Sequence, residues 1–419
     1  MRRVAAAWAA SVLALELSPE TLLVARIKTR MLDNQSRLPN YTCLQTIERS
    51  YRRAPARKFE LLDTLRLEVA LVTGKELFSW PGSARFEDRE LKDLVGGGAI
   101  GNGTFALHAR SVFLSSAPTY TYVGRRERDG RQTERFDYRV PQLTSGYKIR
   151  VGPREAFVGY HGSFWVDATS LDLIRLEVHA DDIPPHLGLD SAGDWIEYER
   201  ARIGDGEFLL PRASELTMTD LAGNESRNRT LFASCRQYSG ESVLSFAEPV
   251  EASATPEPPA LVRFELPAGL GLELELETSI DLRRAAVGDP VVAVVRGDAK
   301  LKGSVVVPRG ARVSGRLARL EKWPGRSRDS YAVRLRFHTL EFDNRQARFL
   351  ASLEGVSAFL GSLAPPSGRP APDRGPDPDA GGDLEASSVG MFYYPERAEV
   401  PKGFRMYWRT GLKTRGEKQ

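Results

Sequence analysis

Between about residue 119 and residue 246, strand patterns and tight-turn signals follow one another with no helical period between them. A run of this kind closes most readily as an antiparallel sheet, because parallel neighbours need a crossover of a dozen or more residues. Asp129-Gly130 separates strand-like residues 121–128 from 131–140 and is a two-residue hairpin signal. Asp167-Ala168-Thr169-Ser170 separates 156–166 from 171–178. Gly204-Asp205-Gly206 separates 195–203 from 207–210. Ala222-Gly223-Asn224 separates 214–219 from 227–235.

Upstream the pattern is mixed. Ser18-Pro19-Glu20 opens a helix over 18–38, with Ser18 as cap, Pro19 at the first helical position and Glu20 in the first turn. Leu22, Leu23, Ile27, Met31 and Leu32 recur at helical spacing, and Pro39 ends the run. Strands follow at 41–52, 58–72 and 75–80, with Thr73-Gly74 as a turn. Residues 84–95 and 104–114 read as helices joined by the glycine-rich stretch 96–103. That stretch lacks Gly-x-x-x-x-Gly-Lys-Ser/Thr and follows no βαβ strand, so it reads as a lid or an inter-helix connection and not as a phosphate loop. Residues 18–246 are therefore expected to form an α+β domain built on an antiparallel sheet.

Residues 247–260 carry four prolines and read as a linker. Beyond them, strand-like runs at 272–278, 291–296, 304–307, 312–320, 331–342 and 346–353 are separated by turns such as Gly288-Asp289-Pro290 and Pro308-Arg309-Gly310. Residues 389–394 and 404–410 read as closing strands. The expectation for 261–419 is a second, small all-β barrel. Residues 361–390 hold six prolines and six glycines with little apolar content, so that loop is expected to be disordered.

Residues 1–17 read as a secretory signal peptide: two arginines precede an uncharged, alanine-rich stretch. The small-x-small cleavage signal is poor, and an amphipathic helix or a clipped leader explains the same residues. The stretch falls short of the ~20 apolar residues of a membrane-spanning helix, and the chain contains no such run, so a polytopic membrane protein is not expected. The chain has only two cysteines, Cys43 and Cys235, both in strand-like surroundings. They cannot make a zinc site alone. In an exported protein they would pair; otherwise they are two buried thiols. The 59 basic and 55 acidic residues leave a net charge of +4, interleaved as in Arg125-Arg126-Glu127-Arg128-Asp129. No concentrated cationic face is apparent, so nucleic acid is not an expected partner.

The order of elements, together with Gly162-Ser163-Phe164-Trp165-Val166-Asp167 and the following Leu171-Asp172-Leu173-Ile174-Arg175-Leu176-Glu177, resembles the periplasmic lipoprotein-carrier (lipoprotein-sorting) group. That resemblance spans about residues 20–246. It implies a curved antiparallel half-barrel with an N-terminal helix and a helical insertion over a concave, apolar face that shields an acyl chain. The strand pair around Val306-Val307-Pro308-Arg309-Gly310-Ala311-Arg312-Val313, with 331–340, resembles the C-terminal β-barrel of TrbI-type conjugation proteins, in fold only. Arg309 stands where that family usually has lysine.

Catalytic signatures are absent: there is no Gly-x-Ser-x-Gly and no His-Glu-x-x-His. The segment His179-Ala180-Asp181-Asp182-Ile183-Pro184-Pro185-His186 is the one cluster with metal-ligand chemistry, and a solvated loop explains it as well. Glu273, Glu275 and Glu277 alternate with leucines as one solvated strand face. Phe164, Trp165 and Trp195 read as core or as the lining of an apolar groove. No cofactor is expected. The leading expectation is a non-enzymatic, periplasmic or secreted protein that binds a lipid, a lipoprotein acyl chain or a hydrophobic segment. The alternatives are a structural member of an envelope protein assembly whose helices fill its own sheet, and a metal-dependent hydrolase using residues 179–186.

Overall fold

The computed structural model describes residues 18–72, 75–83, 86, 91–95, 100, 101, 103–238, 262–323, 330–357, 361–363, 388–395 and 399–411. The 1–17 leader, the 73–74 turn, half of the 84–95 helix, most of the glycine-rich stretch, the 247–260 linker and residues 364–387 of the proline-rich loop lie outside them.

The chain opens with helix α1 (Pro19–Arg37), whose Ser18 hydroxyl accepts from the Thr21 amide at 3.2 Å. Three strands follow, β1 (Tyr41–Arg52), β2 (Glu60–Val72) and β3 (Lys75–Ser79), then helices α2 (Leu91–Leu94) and α3 (Leu107–Leu114). Next come β4 (Thr119–Arg128), β5 (Arg131–Val140), the small hairpin β6 (Lys148–Val151) and β7 (Arg154–Phe157), then β8 (Gly159–Asp167) and β9 (Leu173–Asp181). Three long strands finish the unit: β10 (Leu189–Ile203), β11 (Gly206–Asp220) and β12 (Glu225–Gln237). Ten of these form one antiparallel sheet in the order β3-β2-β1-β12-β11-β10-β9-β8-β5-β4. The expected α+β class holds, with the sheet curled as a half-barrel and helices on one face.

Two expected boundaries differ. Residues 156–166 are two strands, because the Val158 amide leaves the ladder to bond the Tyr147 carbonyl at 3.0 Å. Residues 207–219 are one strand, not two. Pro211 sits opposite Tyr198 at a register shift, where a residue without an N–H is tolerated.

The second unit comprises β13 (Val262–Phe264), β14 (Gly271–Leu276), β15 (Ile280–Asp281), β16 (Pro290–Val295), β17 (Ala299–Leu301), β18 (Ser304–Val307), β19 (Arg312–Trp323), β20 (Ser330–Phe342), β21 (Arg345–Arg348), β22 (Ala351–Val356), β23 (Ser388–Pro395), β24 (Glu399–Val400) and β25 (Arg405–Thr410); β15 with β24 and β17 with β18 form two separate two-stranded pairs, and the other nine form its main sheet. Its main path runs β13-β21-β20-β19-β16-β14-β25-β22. The free edge of β20 pairs β23 over Ser330–Phe337, and β23 lies beside β22, so the path rolls into a barrel. A single core fills it, with Phe337, Phe349 and Trp408 packed edge to face. The expected strand 346–353 is divided at Phe349-Leu350, and β23 begins at Ser388, inside the span expected to be disordered.

The two sheets touch. Leu65 of β2 bridges Val287, with the Arg66 amide donating to the Val287 carbonyl at 2.7 Å and the Val287 amide to Thr64 at 2.8 Å. Val287 joins the apolar cluster of β1 and β2. The Arg316 guanidinium lies 4.2 Å from the centre of the Trp80 ring.

Candidate functional site

On strands of period two, alternate residues choose opposite faces. Phe136 and Tyr138 of β5, Tyr160, Phe164 and Val166 of β8, and Leu176 and Val178 of β9 therefore share one face and are all buried. This is the concave face. Helix α1 covers it through Ile27, and α3 covers it through Val112 and Phe113, each of the three at most 1% exposed. Phe113 meets Phe164 edge-on at 4.9 Å, and Phe164 stacks on Phe136 at 5.3 Å. The interior is thus filled by the chain's own helices.

The two helices are held differently. Buried Asn34 pins α1 by donating to the Leu209 carbonyl (3.2 Å) and accepting from its amide (3.0 Å). Helix α3 has no side-chain cap of its own. Glu76 of β3 supplies one from afar: its carboxylate accepts from the Gly103 and Ala106 amides at 2.8 Å and from Leu107 at 3.2 Å. Lys28 ties α1 to the end of α3 through the Ser115 carbonyl at 3.0 Å.

Beneath α3 the interior turns polar. His108 Nε2 faces Asp194 Oδ2 at 3.5 Å, both side chains buried. His108 Nε2, Asp194 Oδ1 and the Tyr198 hydroxyl are buried without a hydrogen-bond partner among the described residues. Burial raises the Tyr147 phenol well above its ordinary value, and the neighbouring Asp194 carboxylate adds to that. Burial likewise raises Tyr138 and Tyr198, and pushes Tyr120 up to about 12. These phenols stay neutral donors throughout the physiological range.

Cys43 and Cys235 are joined in a disulfide, the alternative expected of them if the chain is exported. They lie on neighbouring strands, β1 and β12, where a bulge at Thr42/Leu44 takes Cys43 out of the regular ladder.

The opposite face of the sheet is polar. Phe164 is inward, but Trp165 and Trp195 are on this outer face. Trp165 lies under Arg128 and Arg135, at 5.0 and 5.2 Å, and Trp195 under Arg175 at 4.6 Å. The groove reading for these two tryptophans is thereby corrected: arginine planes cover them. A polar groove of about 560 Å³ crosses β4, β5, β8 and β9 on this face. Arg135, Arg139, His161, Ser163, Glu177 and His179 line it.

The 179–186 segment does not converge. His179 is directly opposite His161, their ring centroids 5.5 Å apart, whereas His186 sits in a 3-10 turn with Nε2 3.5 Å from the Glu155 carbonyl. Among the described residues, no group of three or more His, Cys, Asp or Glu side chains is arranged to hold a metal. Sequence reasoning missed the His161–His179 pair. The hairpin turn at 167–172 carried the signal, since the two histidines are nine residues either side of Ser170.

No protein-family model matches the chain, and no curated protein does. Among solved structures, it is similar to a putative outer membrane lipoprotein-sorting protein domain from Vibrio parahaemolyticus, at 10% identity and TM-score 0.30, over 52% of this chain and 94% of that one. A LolA superfamily protein from Nitrosomonas europaea gives 11% and 0.27, over 52% and 94%. The lipoprotein LppX from Mycobacterium tuberculosis gives 9% and 0.20, over 51% and 94%. The topology described above, not these likenesses, carries the fold. No helix of the described residues is long and apolar enough to cross a membrane.

Proposed function

We propose that the first sheet binds an acyl chain or a hydrophobic polypeptide segment on its concave face, without a covalent step, in an exported protein of the cell envelope. The supporting observation is the asymmetry of the cover. The face is apolar and continuous from Phe136 to Val178, yet the eight-residue helix closing it sets its own His108 against Asp194, where buried polar atoms have no hydrogen-bond partner among the described residues. Each such atom costs about 1–3 kcal/mol, so hydrating them on lifting α3 offsets part of the burial that Val112 and Phe113 would give up. A chain entering in their place would regain roughly 25 cal/mol per Å² of apolar surface. The disulfide favours a periplasmic or secreted location.

The test is titration of the full chain with a fluorescent fatty acid, followed by amide exchange. Saturable binding at micromolar ligand, with faster exchange confined to 107–114, is expected. Absence of binding, with no lipid retained in native mass spectrometry, overturns the reading. It would favour the alternative in which Ile27, Val112 and Phe113 are permanent filling and the protein is an interaction module of an envelope assembly.

A further inference from the structure

We propose that His161 and His179 form a two-histidine site for a late first-row divalent cation (copper, nickel or zinc) on the outer face of the first sheet. The register of β8 and β9 sets the two residues directly across from each other, and both are exposed. Two imidazoles sharing one ion, each nitrogen about 2.0–2.1 Å from it, have ring centres about 5 Å apart. The observed separation is 5.5 Å.

The His161 ring is also held by its inner nitrogen. His161 Nδ1 is 2.7 Å from Asp181 Oδ1. Donation of Nδ1–H to that carboxylate fixes the tautomer with a lone pair on Nε2, the arrangement by which carboxylates orient metal-binding histidines. His179 Nδ1 faces the backbone of β10 at Gly193, where a Cβ would come within 2.9 Å of it. This leaves its Nε2 as the open nitrogen.

Among the described residues the groove offers these two ligands and no third, so the other positions on the ion belong to water or a small anion. The groove of about 560 Å³ has room for them, and Arg139, 3.3 Å from Asp181, adds positive charge beside them. The site is independent of the concave face, because the residues that carry it point away from α1 and α3.

The test is calorimetric titration of the untagged full chain with Cu²⁺, Ni²⁺ and Zn²⁺. One saturable equivalent is expected, with Cu²⁺ tightest. His161→Ala and His179→Ala should each weaken binding at least tenfold, and Asp181→Asn about tenfold. His186→Ala should leave it unchanged. With Cu²⁺ bound, electron paramagnetic resonance should show coupling to two imidazole nitrogens, and unchanged circular dichroism of the exposed-residue variants shows that they fold. Undiminished binding by the His161→Ala/His179→Ala double variant, loss of binding in His186→Ala, or no saturable binding below millimolar metal overturns the proposal.

Discussion

Arg66 of β2 donates from Nη1 to Asp289 Oδ1 at 2.5 Å, so a side chain of the first sheet is held by the turn that leads into β16 of the barrel. The same turn presents Gly288 at φ +105°, where a Cβ would meet both the Arg66 carbonyl and the Trp80 ring. Glycine is required there for conformation and for space. Gly288→Val is expected to part the two units: one cooperative calorimetric transition in the native chain becomes two. Arg66→Ala, removing a partly buried pair, should cost about 1 kcal/mol or somewhat more in urea titration.

The disulfide closes a sequence separation of 192 residues. The chain-entropy argument sets its stabilisation at about 5 kcal/mol at most, with about 2–5 kcal/mol usual for native bridges. The Cys43→Ser/Cys235→Ser variant should therefore show a urea midpoint lowered by a few kcal/mol equivalent, and reductant should do the same to the native protein. A variant as stable as the parent would contradict this.

Arg49 and Asp63 are cross-strand partners on β1 and β2, bonded in bidentate fashion at 2.7 and 2.5 Å, with side chains only 4% and 8% exposed. Removing Asp63 takes the bidentate carboxylate away from a buried guanidinium. Asp63→Ala should cost about 3–5 kcal/mol, whereas the double change Arg49→Met/Asp63→Leu should cost far less. Equilibrium denaturation of the three chains separates the two cases.

His338 of β20 is depressed to about 4, first by burial and then by Arg316 and Arg336 beside it. The unfolded chain takes up this proton near pH 6.5 and the folded chain only near 4. Stability is therefore full above about pH 6.5 and falls as the pH drops towards 4. The loss is on the order of 2 kcal/mol, allowing for partial exposure. In His338→Gln the stability should change less over that window, measured as urea midpoint against pH.

Local chemistry made much of the fold legible. Ser18-Pro19 started α1 at the right residue, and Asp129-Gly130 placed the β4–β5 hairpin because its turn type is written in two residues. Long-range features were not legible. Residues 207–210 and 214–219 read as separate runs, and the effect of Pro211 between them depends on whether the partner strand bulges there. The cap on α3 comes from Glu76, about thirty residues upstream, a pairing no local pattern carries. Whether the concave face is open or occupied depends on how Val112 and Phe113 pack, which periodicity alone does not give.

In the ten-stranded sheet, β1 and β12 are neighbours, and Cys43 is bonded to Cys235 across them. A single protease cut anywhere between those two positions would therefore leave both pieces covalently attached. Such a nicked molecule would run as an intact chain on a denaturing gel until a thiol is added, then fall into two bands.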